Sequence, residues 1–322
     1  MPKLEPQVTD EYGRRFKTLR VSVADACSMA CLYCVSPNGS FASTHHPTGK
    51  TPLTVEEYIS IIASIHSINP LNVIRLTGGE PLLFKKLPEL VKGVLDLGIN
   101  NIKITTNGLQ LSQQLRALKE AGLSSINVSL DALDPDTFHK ITGVNKIRVV
   151  LDAIEDALAS GLEVKLNSVV IKNKNEHQII PLLEYAGNRN MPIRFLELMS
   201  MGYLNHSKDS FFVSQQEILN IITQVTTISK LPRMHASTSN YWMTAKGWKF
   251  GVIANDSEPF CMDCDRLRLD SYGSIFGCLS SSKSFNVKGL KGNELIHVMK
   301  DALAEKQVRF IGSELSMKYI GG

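Results

Sequence analysis

Short apolar runs alternate with longer amphipathic ones along the first two-thirds of the chain. Stretches rich in β-branched and leucine residues at Leu19–Val23, Val73–Leu76, Ile102–Thr105, Ile126–Leu130, Val164–Val170 and Ile193–Leu198 predict strands. Between them, apolar positions recur at helical spacing over Thr54–Ser67, Leu87–Leu97, Ser112–Ala121, Lys146–Ala159 and His177–Asn188. Helix-end chemistry agrees. Thr54 with Glu57 reads as a capping box, and Asp134-Pro135 as an N-cap followed by a first-turn proline. Gly98, Gly122 and Gly161 fall where C-terminal glycines belong. Such alternation gives a parallel sheet with right-handed crossovers. Six units predict an α/β fold, an incomplete TIM-like barrel, with its chemistry at the C-terminal ends of the strands.

Beyond Met201 the pattern changes. Val213–Val225 predicts a helix, Tyr241–Thr244 with Lys249–Ile253 a β-hairpin, Tyr272-Gly273 a turn and Asn293–Ala304 a last helix. Pro37–Pro52, rich in Ser, Thr, Pro and Gly, predicts a loop that holds His45 and His46. The expected organisation is an N-terminal segment (1–18), a partial barrel (19–200) and a C-terminal region (201–322).

Composition narrows the class. The chain is 43% hydrophobic and 20% charged over 322 residues, enough for a large core. A net charge of +4 suits anionic small molecules, and no basic block or aromatic platform points to nucleic acid. Met1–Arg15 has no apolar core of a secretory signal. No run approaches the roughly 18 apolar residues of a membrane span. The expectation is a cytoplasmic protein, in which clustered cysteines bind metal or do chemistry.

All six cysteines fall into two triplets, Cys27-x3-Cys31-x2-Cys34 and Cys261-x2-Cys264-x13-Cys278. Thiolates suit zinc or iron–sulfur clusters. A structural zinc site wants four protein ligands, so each triplet leaves a position open for a small molecule. Arg20 and Arg75 stand within strand-like runs, where a buried charge is costly unless an anionic ligand fills the space beside it.

The first triplet, with the aromatic Tyr33 before its last cysteine, resembles the radical S-adenosylmethionine (SAM) superfamily. Thr77-Gly78-Gly79-Glu80-Pro81 at the end of the second strand fits that resemblance. It implies a [4Fe–4S] cluster on Cys27, Cys31 and Cys34 whose open iron chelates SAM. Gly78, Gly79 and Glu80 would hold the methionine end, with Tyr33, Ser129 and Met199 completing the SAM site. The second triplet, with Arg266-Leu267-Arg268 close after Cys264, resembles more narrowly the GTP 3′,8-cyclases of molybdenum-cofactor biosynthesis. That resemblance implies the radical SAM type of partial (β/α)6 barrel, with a C-terminal extension carrying a second [4Fe–4S] cluster that contacts GTP.

It further implies GTP contacts from Arg20, Arg75, Thr105, Lys165, Arg194, Arg266, Leu267 and Arg268. Guanidinium groups suit this role because they match phosphate oxygens bidentately. Arg266 and Arg268 would share catalysis with Gly321 and Gly322 of the Met-x-x-Ile-Gly-Gly terminus. The implied reaction abstracts hydrogen from C3′ of GTP and joins C3′ to C8. Cyclic pyranopterin monophosphate synthase would act downstream, and flavodoxin or ferredoxin would supply electrons. A homodimer fits the same picture. Other outcomes for the same motifs are a radical SAM enzyme acting on another nucleotide or a peptide, or a non-catalytic iron–sulfur protein. The chain departs from the family's common Asn-Phe-Arg in the first loop, where it has Ser28-Met29-Ala30, and its region between second triplet and tail is short.

Overall fold

A computed structural model describes residues 8–36, 51–205 and 208–320. His45, His46, Gly321, Gly322 and most of the predicted 37–52 loop lie outside the described residues. Six strands alternate with helices: β1 (Thr18–Ser22), α1 (Val55–Ile68), β2 (Val73–Thr77), α2 (Leu87–Asp96), β3 (Ile102–Thr106), α3 (Leu111–Glu120) and β4 (Ser125–Ser129). Then follow α4 (Pro135–Thr142), α5 (Ile147–Ala159), β5 (Glu163–Val169), α6 (Ile179–Gly187) and β6 (Ile193–Leu196). The expected strand and helix spans hold to within a residue or two. Thr54 accepts from Glu57 N–H and the Glu57 side chain returns to Thr54 N–H, which makes the capping box real. Asp134 caps the helix opened by Pro135.

The C-terminal part adds α7 (Gln215–Thr223), β7 (Ile228–Lys230), β8 (Asn240–Thr244) and β9 (Lys249–Ile253). It ends with β10 (Arg266–Leu269), β11 (Ser274–Phe276), β12 (Phe285–Asn286), α8 (Gly292–Ala304) and a terminal turn α9 (Met317–Ile320). All the strands share one sheet in the order β12-β11-β10-β1-β2-β3-β4-β5-β6-β9-β8-β7. β1 to β6 are parallel neighbours, β10 adds in parallel to β1, and β9 adds in parallel to β6. The partial barrel is thus widened at both edges by strands from beyond residue 201, and antiparallel hairpins close each edge.

Strand alternation sorts the side chains. One face carries Leu19, Val21, Ile74, Leu76, Ile102, Ile104, Ile126, Val128, Val164, Leu166, Ile193 and Phe195, all buried in the main core. The other face carries Arg20, Arg75, Thr77, Lys103, Thr105, Asn127, Ser129, Lys165, Asn167 and Arg194. A TIM barrel normally fills its interior with apolar layers. Here the interior is polar and cationic, as a ligand-holding lumen requires. Among the described residues no helix is long and apolar enough to cross a membrane.

Candidate active site

A cavity of about 650 Å³ opens at the C-terminal ends of the strands. Cys27, Cys31, Cys34, Tyr33, Gly78, Gly79, Glu80, Thr105, Ser129 and Met199 all line it. The expected SAM residues therefore share one wall-to-wall space. Gly78 and Gly79 are glycine because another backbone runs against them. A Cβ on Gly78 would overlap Ala24 O, and one on Gly79 would overlap Ala26 O. Gly79 N–H donates to Ala24 O at 2.6 Å and Glu80 N–H to Ala26 O at 2.8 Å. The glycine pair thus seats the segment that leads into Cys27.

Glu80 is 1% exposed and accepts from Leu82 N–H, Thr106 Oγ1 and Asn107 N–H at 3.0, 2.7 and 2.8 Å. Burial pushes its carboxyl up against these bonds. Tyr33 donates to Asp131 Oδ2 at 2.8 Å, and Asp131 Oδ1 accepts from Val169 N–H at 2.8 Å, tying the cysteine loop to the ends of β4 and β5. Asn107 reaches Ser28 Oγ at 3.0 Å and Cys27 Sγ at 3.7 Å. Burial raises the Cys31 thiol, and Asp131, Cys34 and Cys27 raise it further. Metal binding at such thiols displaces protons.

The cations lie one layer deeper. Two residues below the cavity-lining Thr77, Thr105, Asn167 and Leu196 stand Arg75, Lys103, Lys165 and Arg194. Arg20 pairs in register with Arg75 on one side and Arg268 on the other. Burial, then Arg268, Arg75, Arg266 and Arg194, hold the Arg20 guanidinium well below its ordinary value. Burial and like charges bring Arg75 down to about 10. Burial likewise brings Arg268 to about 10. Arg194 is lowered by burial, with partial relief from Tyr241, and its Nε has no hydrogen-bond partner among the described residues. Arg266 Nη2 and Asn167 Oδ1 are likewise buried and unpartnered there. Leu267, by contrast, points into the core at 0% exposure, so only its backbone is available to a ligand. Lys165 pairs with Glu163 at 2.8 Å.

The second triplet sits at the opposite end. Cys261 and Cys264 precede β10, whose Arg266 pairs with Thr18 at the start of β1, and Cys278 follows the returning β11. The first triplet follows the end of β1. Burial alone would raise the Cys264 thiol, but Lys306 and Arg266 outweigh it and bring it to about 6. Burial and its neighbours push Cys261 up to about 11. The six cysteines are all thiols. No three Cys, His, Asp or Glu side chains among the described residues close around a single ion. A cubane is gripped differently, one thiolate per iron, and an all-sulfur donor set suits it.

The tail links the two ends. Ser316 Oγ donates to Cys34 O at 3.2 Å, Met317 lines the cavity, and Arg268 Nη1 donates to Ile320 O at 3.1 Å. Sequence reasoning missed Lys103, Tyr241 and Lys306. For Lys103 the strand period was a usable signal, since it alternates with Thr105. Nothing local marks the other two.

The radical SAM superfamily model matches residues 21–186, and the Molybdenum Cofactor Synthesis C model matches residues 191–311. A GTP 3′,8-cyclase of Synechocystis sp. is 36% identical over 299 residues, covering 93% of this chain and 90% of the relative. One from Aquifex aeolicus is 36% identical over 296 residues, covering 91% of each. Streptococcus suis SuiB, solved bound to S-adenosylmethionine, shares the fold at a TM-score of 0.65 and 15% identity, covering 92% of this chain and 67% of that one. Lumen, cysteine loop and matching model define a radical SAM protein. Within that class the chain belongs to the GTP 3′,8-cyclase family, whose members use SAM and two [4Fe–4S] clusters.

Proposed function

We propose that this chain converts GTP to (8S)-3′,8-cyclo-7,8-dihydroguanosine 5′-triphosphate, the first step of molybdenum-cofactor biosynthesis. One observation carries the reading: one thiol triplet lines the cavity at the C-terminal ends of the strands, a second lies before their start, and a layer of buried cations stands along the strands between them. Cys27, Cys31 and Cys34 would hold a [4Fe–4S] cluster, which would supply the electron for reductive cleavage of SAM and hence the radical chemistry at C3′ of GTP. The protein's own residues bind, orient and keep water out. Gly78–Glu80, Tyr33, Ser129 and Met199 shape the SAM end. Arg20, Arg75, Lys165, Arg194, Arg266 and Arg268 receive the triphosphate, which relieves their mutual repulsion. Cys261, Cys264 and Cys278 would hold a second cluster that serves substrate binding, and Thr105, on the cavity wall, would contact GTP. Gly321 and Gly322, by the family resemblance alone, would share catalysis with Arg266 and Arg268.

In this reading the enzyme works in the cytoplasm and draws electrons from a flavodoxin or ferredoxin. It hands its product to cyclic pyranopterin monophosphate synthase. The test is anaerobic reconstitution with SAM, dithionite and GTP. 5′-Deoxyadenosine formation that depends on GTP, together with a cyclised nucleotide, supports the reading; SAM cleavage indifferent to GTP overturns it. Arg268→Ala removes one charge-assisted contact, about 2 kcal/mol or roughly thirtyfold in GTP affinity. Iron content should be unchanged in that variant.

A further inference from the structure

Lys306 lies just past the C-terminus of α8 and is 7% exposed. Its ammonium donates to Arg266 O at 2.8 Å and Gly277 O at 3.2 Å, and it meets Cys264 Sγ at 3.5 Å. Arg266 is two residues after Cys264, and Gly277 immediately precedes Cys278. Arg14, also buried, covers the remaining segment. It donates to Cys261 O at 2.7 Å and Gln307 O at 3.0 Å, while its Nε pairs with Asp10. Every stretch of chain that carries a cysteine of the second triplet is therefore tied to one of two buried cations. Gly277 lets this happen: a Cβ there would overlap Ala302 O, so only glycine allows the end of α8 to bring Lys306 so close.

A buried ammonium needs a counter-charge. The partners of Lys306 are two carbonyls and one sulfur, with no carboxylate among them. The carbonyls are dipoles, so among these three partners only the Cys264 sulfur, as a cluster ligand, can supply the balancing negative charge. We propose that Lys306 is a positioning residue for the second triplet. Its bonds fix two arms of the thiolate tripod, and its fixed charge favours electron acceptance by the cluster held there. This rests on the reading that Cys261, Cys264 and Cys278 bind a [4Fe–4S] cluster. Positive charge and hydrogen bonds near sulfur are known levers on cluster potential.

The test uses the full chain with Cys27, Cys31 and Cys34 all changed to Ser, so that bound iron reports the second site alone. Into it go Lys306→Met, Lys306→Gln and Lys306→Arg. The readouts are iron and sulfide content, the rate of iron loss to a chelator, and the midpoint potential followed by electron paramagnetic resonance. Lys306→Gln keeps one donor and loses the charge. We expect it to retain its cluster but to shift the reduced-to-oxidised ratio about tenfold toward oxidised, ~59 mV for a one-electron couple. Lys306→Met should also lose iron several-fold faster. Lys306→Arg should restore the potential. If Lys306→Met fails to fold, the glutamine variant decides. An unchanged midpoint in Lys306→Gln overturns the proposal alone. No iron in the parent overturns the second-cluster reading and the proposal with it.

Discussion

Oε1 of Glu80 accepts hydrogen bonds from Leu82 N–H and Thr106, and Oε2 accepts from Asn107 N–H. A Gly-Gly-Glu-Pro motif assigns this glutamate to a ligand, yet its carboxylate also clamps the end of β3 to the end of β2. Glu80→Gln turns one acceptor into a donor facing a donor. It should cost about 2 kcal/mol in urea unfolding of the unloaded protein. His66 offers a pH test. Burial holds its imidazole below the ordinary value, and its Nδ1 accepts from Leu71 N–H at 2.9 Å. The folded state thus binds fewer protons here than the unfolded state. The contribution is full above the unfolded value of about 6.5 and is lost as pH falls from there through the lower folded value. The melting temperature should drop less between about pH 7 and pH 5 in His66→Gln than in the parent; parallel curves would refute the assignment. Residue chemistry was legible where a motif fixed spacing, as at both cysteine triplets. It was not legible for Lys306, which reads in sequence as an ordinary cation after a helix C-terminus. Its role comes from Cys264, Arg266 and Gly277, which lie 42, 40 and 29 residues earlier in the chain and meet it only through folding.

The parallel strands and their helices were plain in the hydrophobic period, and so were the capping box at Thr54 and the β8–β9 hairpin. β10 was not. Arg266-Leu267-Arg268-Leu269 has the alternation of a strand but is too short to stand out, and its strand character comes from pairing with β1. That pairing turns Leu267 into the core and Arg266 and Arg268 toward the lumen. Two glycines make a matched pair of tests at this scale. Gly79→Ala forces the first cysteine loop off β2, and Gly277→Ala forces α8 off the second triplet. Each clash is with backbone, so relief requires segment movement of several kcal/mol. We expect iron analysis to show each variant keeping about half the iron, with Gly79→Ala losing SAM cleavage and Gly277→Ala losing the second cluster's signal. Full iron in either would contradict the packing described.

At the scale of the whole molecule, the lumen concentrates like charge. Arg20, Arg75, Lys103, Arg194 and Arg268 are all held below their ordinary values by burial, and neighbouring cations lower most of them further. The unloaded protein carries this as a cost, and a polyanion relieves it. GTP at a hundredfold excess over its Kd should stabilise the fold by about 2.7 kcal/mol in thermal melts. Arg75→Met should raise the stability of the unloaded chain by about 1 kcal/mol and blunt the response to GTP. A variant that melts earlier and responds normally would remove Arg75 from the anion site.

The sequence by itself determined the barrel, the two thiol triplets and the supply of arginines, because periodicity and spacing are local and survive in one dimension. Only the tertiary structure decided that the triplets lie at opposite ends of the same parallel strands. The reason is β10. By adding in parallel beside β1, it sets Cys264 before the start of the strands, while Cys27 lies beyond their end. A strand pairing across more than two hundred residues is a choice among sheet edges that no local pattern encodes. It is made by burying Leu267 and Leu269 in the main core, which turns Arg266 and Arg268 to the opposite face of the strand.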